Sequence, residues 1–483
     1  VIVPGSGGKD SGMVTHKLKH KYGMHPLTIT WAPFLYTDIG WKNFTALKDK
    51  GYDNILIHPD GNLHRKLSML AFDLHGDAWD PFGYGQQYLA YHMSVKFNIP
   101  LIFFGENGEI EYGGEEKHKN MVEAPMEDWE EIFYKGSGPQ KLIDAGLKRN
   151  VFTREEIKTT SFDFYQSPKK EDLERVGSVG HWMSYYERWT PQWNYYYAVE
   201  NCGFEANPDR SEGTYQKYGS IDDKLDGFHW WMAYMKFGIC RATYDAAHEI
   251  RDGHINREEA VALVHKYDGE FPIKHWKDFL KYLDITEKEF WYVADKYRNR
   301  RVWTPSGAKF AGYSPEAQYK LWKLNYSKER LTEIGKTLGS DVPVFLSGKT
   351  SWAEGTGELL MPITLPKYFY LVVSINKQIS TQEVFAHKAL TMSPVQRKMT
   401  DFSDVSNLHN DCLDAAIDIE GEIEVALLYL DRTANHFGLA RMTGTGCCVF
   451  VAFEKEKDAL KAKQELPSKW TGFVAQAINK SPL

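Results

Sequence analysis

Near the start of the chain six consecutive residues, Ser6-Gly7-Gly8-Lys9-Asp10-Ser11, combine a flexible turn with hydroxyls and both signs of charge. An apolar run, Val1-Ile2-Val3, leads in. The segment that leads out, to about Tyr22, reads as a helix opened by Asp10 or Ser11 and stopped at Gly23. Two glycines let the backbone turn sharply and aim N–H groups at an anion. The helix start adds partial positive charge, Ser6 and Ser11 offer hydroxyls, and Lys9 offers a cation to phosphate. Asp10 is a candidate to hold Mg2+ or to orient the loop. The spacing is neither GxxxxGK[ST] nor GxGxxG. The same residues also suit a tight glycine turn that merely caps a helix, and the residues alone leave both readings open.

Other constellations are weaker. Gly105-Glu106-Asn107-Gly108-Glu109 follows an apolar strand, where open α/β sheets bind ligands. Glu106, Asn107 and Glu109 are candidates for a substrate or a metal, or form a charged turn. Asp222, Asp223 and Asp226 cluster at a helix start with Lys224 among them. Either Asp222 or Asp223 simply caps the helix, or Lys224 serves phosphate and Asp222 or Asp223 serves Mg2+. Glu205, Asn207, Arg210 and Glu212 are candidates for substrate contacts or for internal ties. Arg241 and Tyr244 lie one helical turn apart and could face one cleft. No HExxH occurs, none of the five cysteines forms a CxxC pair, and Cys202 and Cys240 read as small buried apolar residues.

These residues need elements to position them. The 483 residues suggest two or three domains, and 42% hydrophobic with 25% charged residues is a globular composition. A net charge of -7 argues against a nucleic-acid-coating surface. No run of eighteen apolar residues appears, and the cysteine usage suggests the cytoplasm. In residues 1–120, continuous apolar runs (27–31, 54–58, 99–106) fit strands of a parallel sheet buried on both faces. Residues 121–302 read as a mostly helical, aromatic-rich substrate or partner region, and 303–316 as a turn-rich linker. Residues 317–483 read as α+β, with strands at 368–375 and 448–453. The opening Val1-Ile2-Val3 looks like the tail of a strand, so further residues are expected upstream.

The SGGKDS loop after a first strand resembles the signature of the PP-loop ATP pyrophosphatases. LTITW, PFLYTDIGWKNF, GQQYLAYHMSVKFNIPLIFFGENGEIEYGG, the block at 194–253 and REEAVALVHKYDGEFP are similar to the N-acetyl sugar amidotransferases of lipopolysaccharide and flagellar glycan synthesis. This resemblance implies an adenine nucleotide alpha hydrolase-like α/β domain with a helical extension. The implied reaction adenylates an acetamido oxygen and lets ammonia from a glutaminase partner displace AMP. The substrate would be a sugar or nucleotide-sugar, and ATP and Mg2+ the cofactors. Ser6, Gly7, Gly8, Lys9, Asp10 and Ser11 would form the pyrophosphate loop, with Asp10 and Lys224 catalytic. A paired-cysteine segment usual upstream in that family is not seen.

Beyond residue 315 the chain resembles a second family. LGSDVPVFLSG (338–348), AEGTGE (353–358), ISTQEVF (379–385), NDC (410–412) and RMTGTGCCVFVAF (441–453) are similar to 4-diphosphocytidyl-2-C-methyl-D-erythritol kinases, of the GHMP kinase group. The resemblance implies an α+β GHMP-kinase-like domain. Asp341 would act as base or orienter at the acceptor hydroxyl, and the turn Gly444-Thr445-Gly446 would lie near the phosphates. That family's glycine-serine-rich ATP loop is not found upstream. The amidotransferase is the leading expectation, with the kinase or an inactive scaffold as alternatives, and a homo-oligomer is compatible with each.

Overall fold

A computed structural model describes residues 1–105, 122–123, 138–325, 340–355, 357–377, 379–390 and 410–480. The chain divides into two units, Val1–Asn325 and Tyr326–Leu483.

The first unit is built on five strands: β1 (Ile2–Pro4), β2 (Leu27–Trp31), β3 (Asp53–Ile57), β4 (Leu101–Phe104) and β5 (Val179–Trp182). Their order is β3-β2-β1-β4-β5, and every pairing is parallel. Both faces of such a sheet need covering, which explains why Ile2, Ile29 and Ile102 are fully or almost fully buried. The covering helices begin with α1 (Lys9–His20), α2 (Asp38–Asp49), α3 (Gly61–His75) and α4 (Asp80–Phe97). Thr37 caps α2 by accepting from the Gly40 N–H at 3.0 Å, and Asp60 caps α3 through the Asn62 and Leu63 amides. Gly76 ends α3 in the left-handed region at φ 63°.

The sheet continues past residue 120. β5, in the segment read as mostly helical, is its edge strand, and its register sets Phe103 opposite His181. The short VGHW run lacks the continuous apolar character that marks the other strands. Helix α5 (Pro191–Cys202) then packs on α1. A Cβ at Gly12 would lie 3.3 Å from the Cys202 Cβ, so a small residue is needed at that crossing. Helices α6 (Asp226–Phe237) and α7 (Arg241–Arg251) follow. Around α6 the rings of Phe228, Trp231, Phe271, Trp276, Phe279 and Phe290 pack edge-to-face and stacked, which accounts for the aromatic density of this part of the sequence. The unit runs through 303–316: β6 (Trp303–Pro305) pairs antiparallel with β7 (Trp322–Leu324).

The second unit holds a hairpin of β8 (Ser351–Glu354) with β9 (Leu359–Pro362), preceded by helix α8 (Val342–Ser347). Its main sheet is antiparallel, in the order β11-β12-β10-β13, from β10 (Phe369–Ser374), β11 (His436–Met442), β12 (Cys448–Phe453) and β13 (Thr471–Gln476). Alternation places Leu371, Val373, Val449 and Val451 on one fully buried face. Against that face pack residues of α10 (Leu413–Ile419), α11 (Glu422–Leu430) and α12 (Glu456–Gln464), among them Ile423, Leu430 and Ala459. α9 (Thr381–Ala386) lies between β10 and α10 in the chain. Among the described residues no helix is long and apolar enough to cross a membrane.

Two predictions test this packing. Gly85 lies inside α4, where Ala is ordinarily better by about 1 kcal/mol. Here a Cβ would fall 2.2 Å from the Trp31 indole, and overpacking costs about 1–3 kcal/mol. Gly85→Ala is therefore expected to lower stability in urea denaturation, against its helix propensity. Glu187 ties the end of α1 to the rest of the unit by accepting from Lys17, Lys21 and Tyr22. Burial alone would raise its carboxyl, but the three donors outweigh it and hold the group at about 2. A depressed carboxylate contributes stability above its unfolded value near 4 and loses it as pH falls toward about 2. The urea midpoint should fall through that window, and Glu187→Gln should flatten the fall.

Candidate functional site

The glycine loop leaves β1 at the carboxyl end of the parallel sheet, beside the point where strand order reverses between β1 and β4. Gly7 sits at φ 88°, and a Cβ there would lie 2.5 Å from the Phe44 Cα of α2, so no other residue fits. α1 begins at Lys9, earlier than an Asp10 or Ser11 cap requires. Gly8 is its N-cap, with no side-chain capping bond. Lys9 and Asp10 pair with each other, and Asp10 also accepts from Asn194 of α5 at 2.8 Å. Ser11 donates back to the Gly8 carbonyl at 3.2 Å. A Cβ at Gly105 would fall 3.5 Å from the Asp10 Cβ, which sets the end of β4 against the loop. Glu106, Asn107 and Glu109 lie outside the described residues.

Asp222 and Asp223 come to the same end of the sheet by a different device. The segment they occupy pairs with the chain leaving β2: Thr37 N–H donates to the Asp222 carbonyl at 3.1 Å, and Lys224 N–H to the Leu35 carbonyl at 2.9 Å. The Asp223 carboxylate accepts from the Phe34 N–H and, at 2.8 Å, from the Leu225 N–H. Burial pushes the Asp223 carboxyl well above the usual range despite these two amides. Burial also raises Asp222, with Ser6 opposing it, so Ser6 and Asp222 are neighbours. Among the described residues no group of three or more His, Cys, Asp or Glu side chains gathers to hold a metal.

A cleft of about 560 Å³ opens beside this segment, in the size range of small-molecule sites. It brings together Asn207, Arg210, Glu212, Asp223, Lys224, Asp226 and Arg241, seven residues singled out from sequence. Beyond Asp223, the two arginines are also engaged. Arg210 grips Glu270 through both terminal nitrogens, at 2.5 and 2.9 Å. Arg241 bonds Asp245 and Ser220 and lies 4.6 Å over the Trp230 ring. Glu205 pairs with Lys42, which lines the cleft. Lys274 and Trp230 also line it. Lys274 carried no sequence signal, because it is one lysine in an unremarkable stretch.

In the second unit three segments far apart in sequence converge. Thr381 at the start of α9 meets Thr445, Oγ1 to Oγ1, at 3.0 Å. The Asn410 amide donates to the carbonyls of Met442 and Gly444, at 3.2 and 2.8 Å, and its oxygen accepts from the Cys412 N–H at 2.9 Å. The turn between β11 and β12 is closed by Gly446 N–H to the Thr443 carbonyl at 3.1 Å. Gly444 and Gly446 take φ of 50° and 132°. A Cβ at Gly444 would meet nothing within 4 Å, so the outer side of the turn is open. Asp341 is exposed at the start of α8 and makes no side-chain capping bond. Next to it, a Cβ at Gly357 would fall 1.8 Å from the Ser340 carbonyl oxygen, so Gly357 packs directly on the residue before Asp341.

Residues 212–314 match the family model described as LPS biosynthesis protein WbpG-like, C-terminal domain. The chain is also similar to the 4-diphosphocytidyl-2-C-methyl-D-erythritol kinase of Ruthia magnifica subsp. Calyptogena magnifica: 51% identical over 177 residues, 37% of this chain and 62% of that protein. The same kinase from Vesicomyosocius okutanii subsp. Calyptogena okutanii is 49% identical, with the same shares covered. That of Hahella chejuensis is 37% identical over 195 residues, 39% of this chain and 64% of the relative. The chain thus spans a little under two thirds of the length of these relatives. A crystal structure of 4-(cytidine 5'-diphospho)-2C-methyl-D-erythritol kinase is matched at 23% identity and a TM-score of 0.26, over 30% of this chain and 56% of that one, which is too weak to carry a structural argument.

The kinase relatives correct the leading expectation from sequence. Each is named a kinase and none an amidotransferase. The ammonia-using adenylating enzyme is therefore not carried forward, nor is the PP-loop ATP pyrophosphatase fold class. The alternative, the kinase, is the reading these relatives support. The physical reason for the error is that a glycine turn between a parallel strand and a helix offers anion-binding amides in many unrelated proteins and does not by itself specify a reaction.

Asp223→Ala is expected to destabilise the chain by about 2–3 kcal/mol, because it strands two backbone donors at the end of β2. Urea denaturation monitored by tryptophan fluorescence measures it.

Proposed function

We propose that the chain acts in phosphoryl transfer, as the kinase alternative implies: ATP gives its terminal phosphoryl group to a hydroxyl of 4-diphosphocytidyl-2-C-methyl-D-erythritol, with ADP released. The observation that carries this reading is the convergence of Thr381, Asn410 and the Thr443–Gly446 turn, in a chain 51% identical over 177 residues to a kinase of that name.

The turn suits phosphate. Its backbone closes on itself through Thr443 and Gly446, which leaves the Gly444 and Thr445 N–H groups without a protein acceptor among the described residues. Asn410 holds the turn from beneath, and the Thr381–Thr445 contact fixes its hydroxyls. Backbone donors held this way stabilise charge with little reorganisation. Asp341 is the proposed group that takes or orients the proton of the acceptor hydroxyl, and its exposed carboxylate is accessible to substrate. Mg2+ would supply charge neutralisation on the phosphates. An ion that keeps several waters needs only one or two protein carboxylates, which agrees with the lack of a three-ligand cluster among the described residues.

The test is product analysis with ATP and the cytidyl-erythritol acceptor. ADP should form only when both are present. Asp341→Asn should lower kcat about 100-fold or more with a small change in KM. Thr445→Ala should raise the KM for ATP. AMP as the nucleotide product, or unchanged kcat in Asp341→Asn, would overturn the reading.

A further inference from the structure

Helices cover one face of the second unit's main sheet. Leu371, Val373, Val449 and Val451 belong to that face, so alternation turns their neighbours to the opposite one. There the register lays Arg441, Phe450, Val372 and Phe473 in a row across all four strands. A second row runs Phe437, Ala452, Tyr370 and Ala475. The Tyr370 and Phe450 rings meet edge-to-face at 5.7 Å. Leu439 of β11 and Phe473 are each 58% exposed. Apolar side chains scattered singly over a surface need no explanation, but a contiguous aromatic face marks a contact surface.

The charges on this face indicate what it contacts. The Arg441 guanidinium lies 5.5 Å from the centre of the Phe450 ring. Its Nε is buried without an acceptor, and among the described residues no carboxylate pairs with it. Burial lowers its proton affinity, the response of a cation taken from water without a counter-charge. A carboxylate brought to this group would relieve that cost. The chain carries one at the rim of the same face. Glu454 follows Ala452 by two residues, one place beyond β12, and is exposed with no partner among the described residues. Arg441 stands opposite Phe450, so four strand residues, about 13 Å, separate its row from Glu454. A face that carries an unpaired cation and an unpaired carboxylate beside aromatic rings is its own complement. A two-fold contact brings each charge to the other, twice.

We propose that this sheet face is the interface between two copies of the chain, with Arg441 of each copy paired to Glu454 of the other. The assignment is independent of the phosphoryl-transfer reading. Four strands spaced about 4.8 Å apart and about six residues long give a face of roughly 400 Å² in projection. That is at the small end of specific interfaces, so a Kd of about 1–100 μM is expected.

Sedimentation velocity on the full chain, from about 1 to about 200 μM, tests it across that range. The sedimentation coefficient should rise with concentration from monomer to dimer. Glu454→Arg and Arg441→Glu should each weaken the dimer at least about tenfold, because like charges then face one another. The two changes together should restore the Kd to within about threefold of the wild type, since the pair re-forms with its signs exchanged. Should Arg441→Glu fail the circular dichroism check for folding, Phe473→Lys replaces it, with the same loss expected. A chain that stays monomeric up to about 200 μM overturns the proposal. So does a dimer whose Kd Glu454→Arg leaves unchanged, since another surface would then hold it.

Discussion

The candidate chemistry of the first unit hangs on one buried carboxylate. Asp223 accepts from the Phe34 and Leu225 amides and so ties a segment nearly two hundred residues downstream to the chain leaving β2. Taking a carboxylate out of water is costly, and the upward push on its proton affinity shows that two amides do not fully offset the cost. The tie persists because it closes a larger set of backbone bonds, Thr37 to Asp222 and Lys224 to Leu35, that would otherwise be left open beyond the end of β2. Gly40 belongs to the same joint: a Cβ there would lie 2.5 Å from the Asp222 Cα. Lys224 and Asp226 flank Asp223 in sequence, so this joint decides where the wall of the cleft stands.

The second unit solves a similar problem with backbone rather than charge. Its turn is held by an amide side chain, a threonine pair and two glycines in the left-handed half of conformational space. At Gly446 a Cβ would come within 3.1 Å of Ile379 as well as being strained at φ 132°, so packing and dihedral select the same residue. Among the described residues no protein acceptor meets the Gly444 and Thr445 N–H groups, whose positions the turn fixes. That is the condition for backbone donors to act on a phosphate without losing entropy on binding.

Legibility from sequence followed the range of the interactions. The strands at 27–31 and 99–106 were readable because parallel strands buried on both faces are continuously apolar. The edge strand Val179–Trp182 was not, since it is short and carries Gly180 and His181. Asn256 and Glu259 form a capping box, a local cap settled within four residues. By contrast, the Asn410 bond to Gly444 spans 34 residues and the Asp223 bond to Phe34 spans 189, and no local pattern encodes either. The vacant hydrogen-bonding capacity of Asp226 was equally hidden. Sequence placed it at a helix start, and only the packed structure shows an oxygen without a partner. The functional misreading arose from a local feature as well: the glycine loop is conspicuous in sequence, but conspicuousness measures backbone geometry, not the reaction.

The two candidate sites differ in how an anion would feel them at a distance. The chain carries a net charge of -7, so its mean field repels phosphate. A turn that offers only neutral N–H donors cannot counter that field beyond contact range, and a nucleotide reaching it would need its charge reduced first, which is what a bound divalent cation does. The cleft is different. Its wall sets Lys42, Arg210, Lys224, Arg241 and Lys274 among the carboxylates of Asp38, Glu212, Asp223 and Asp226, so the two signs of charge largely offset one another there. The turn therefore favours a polyphosphate that arrives with a divalent cation.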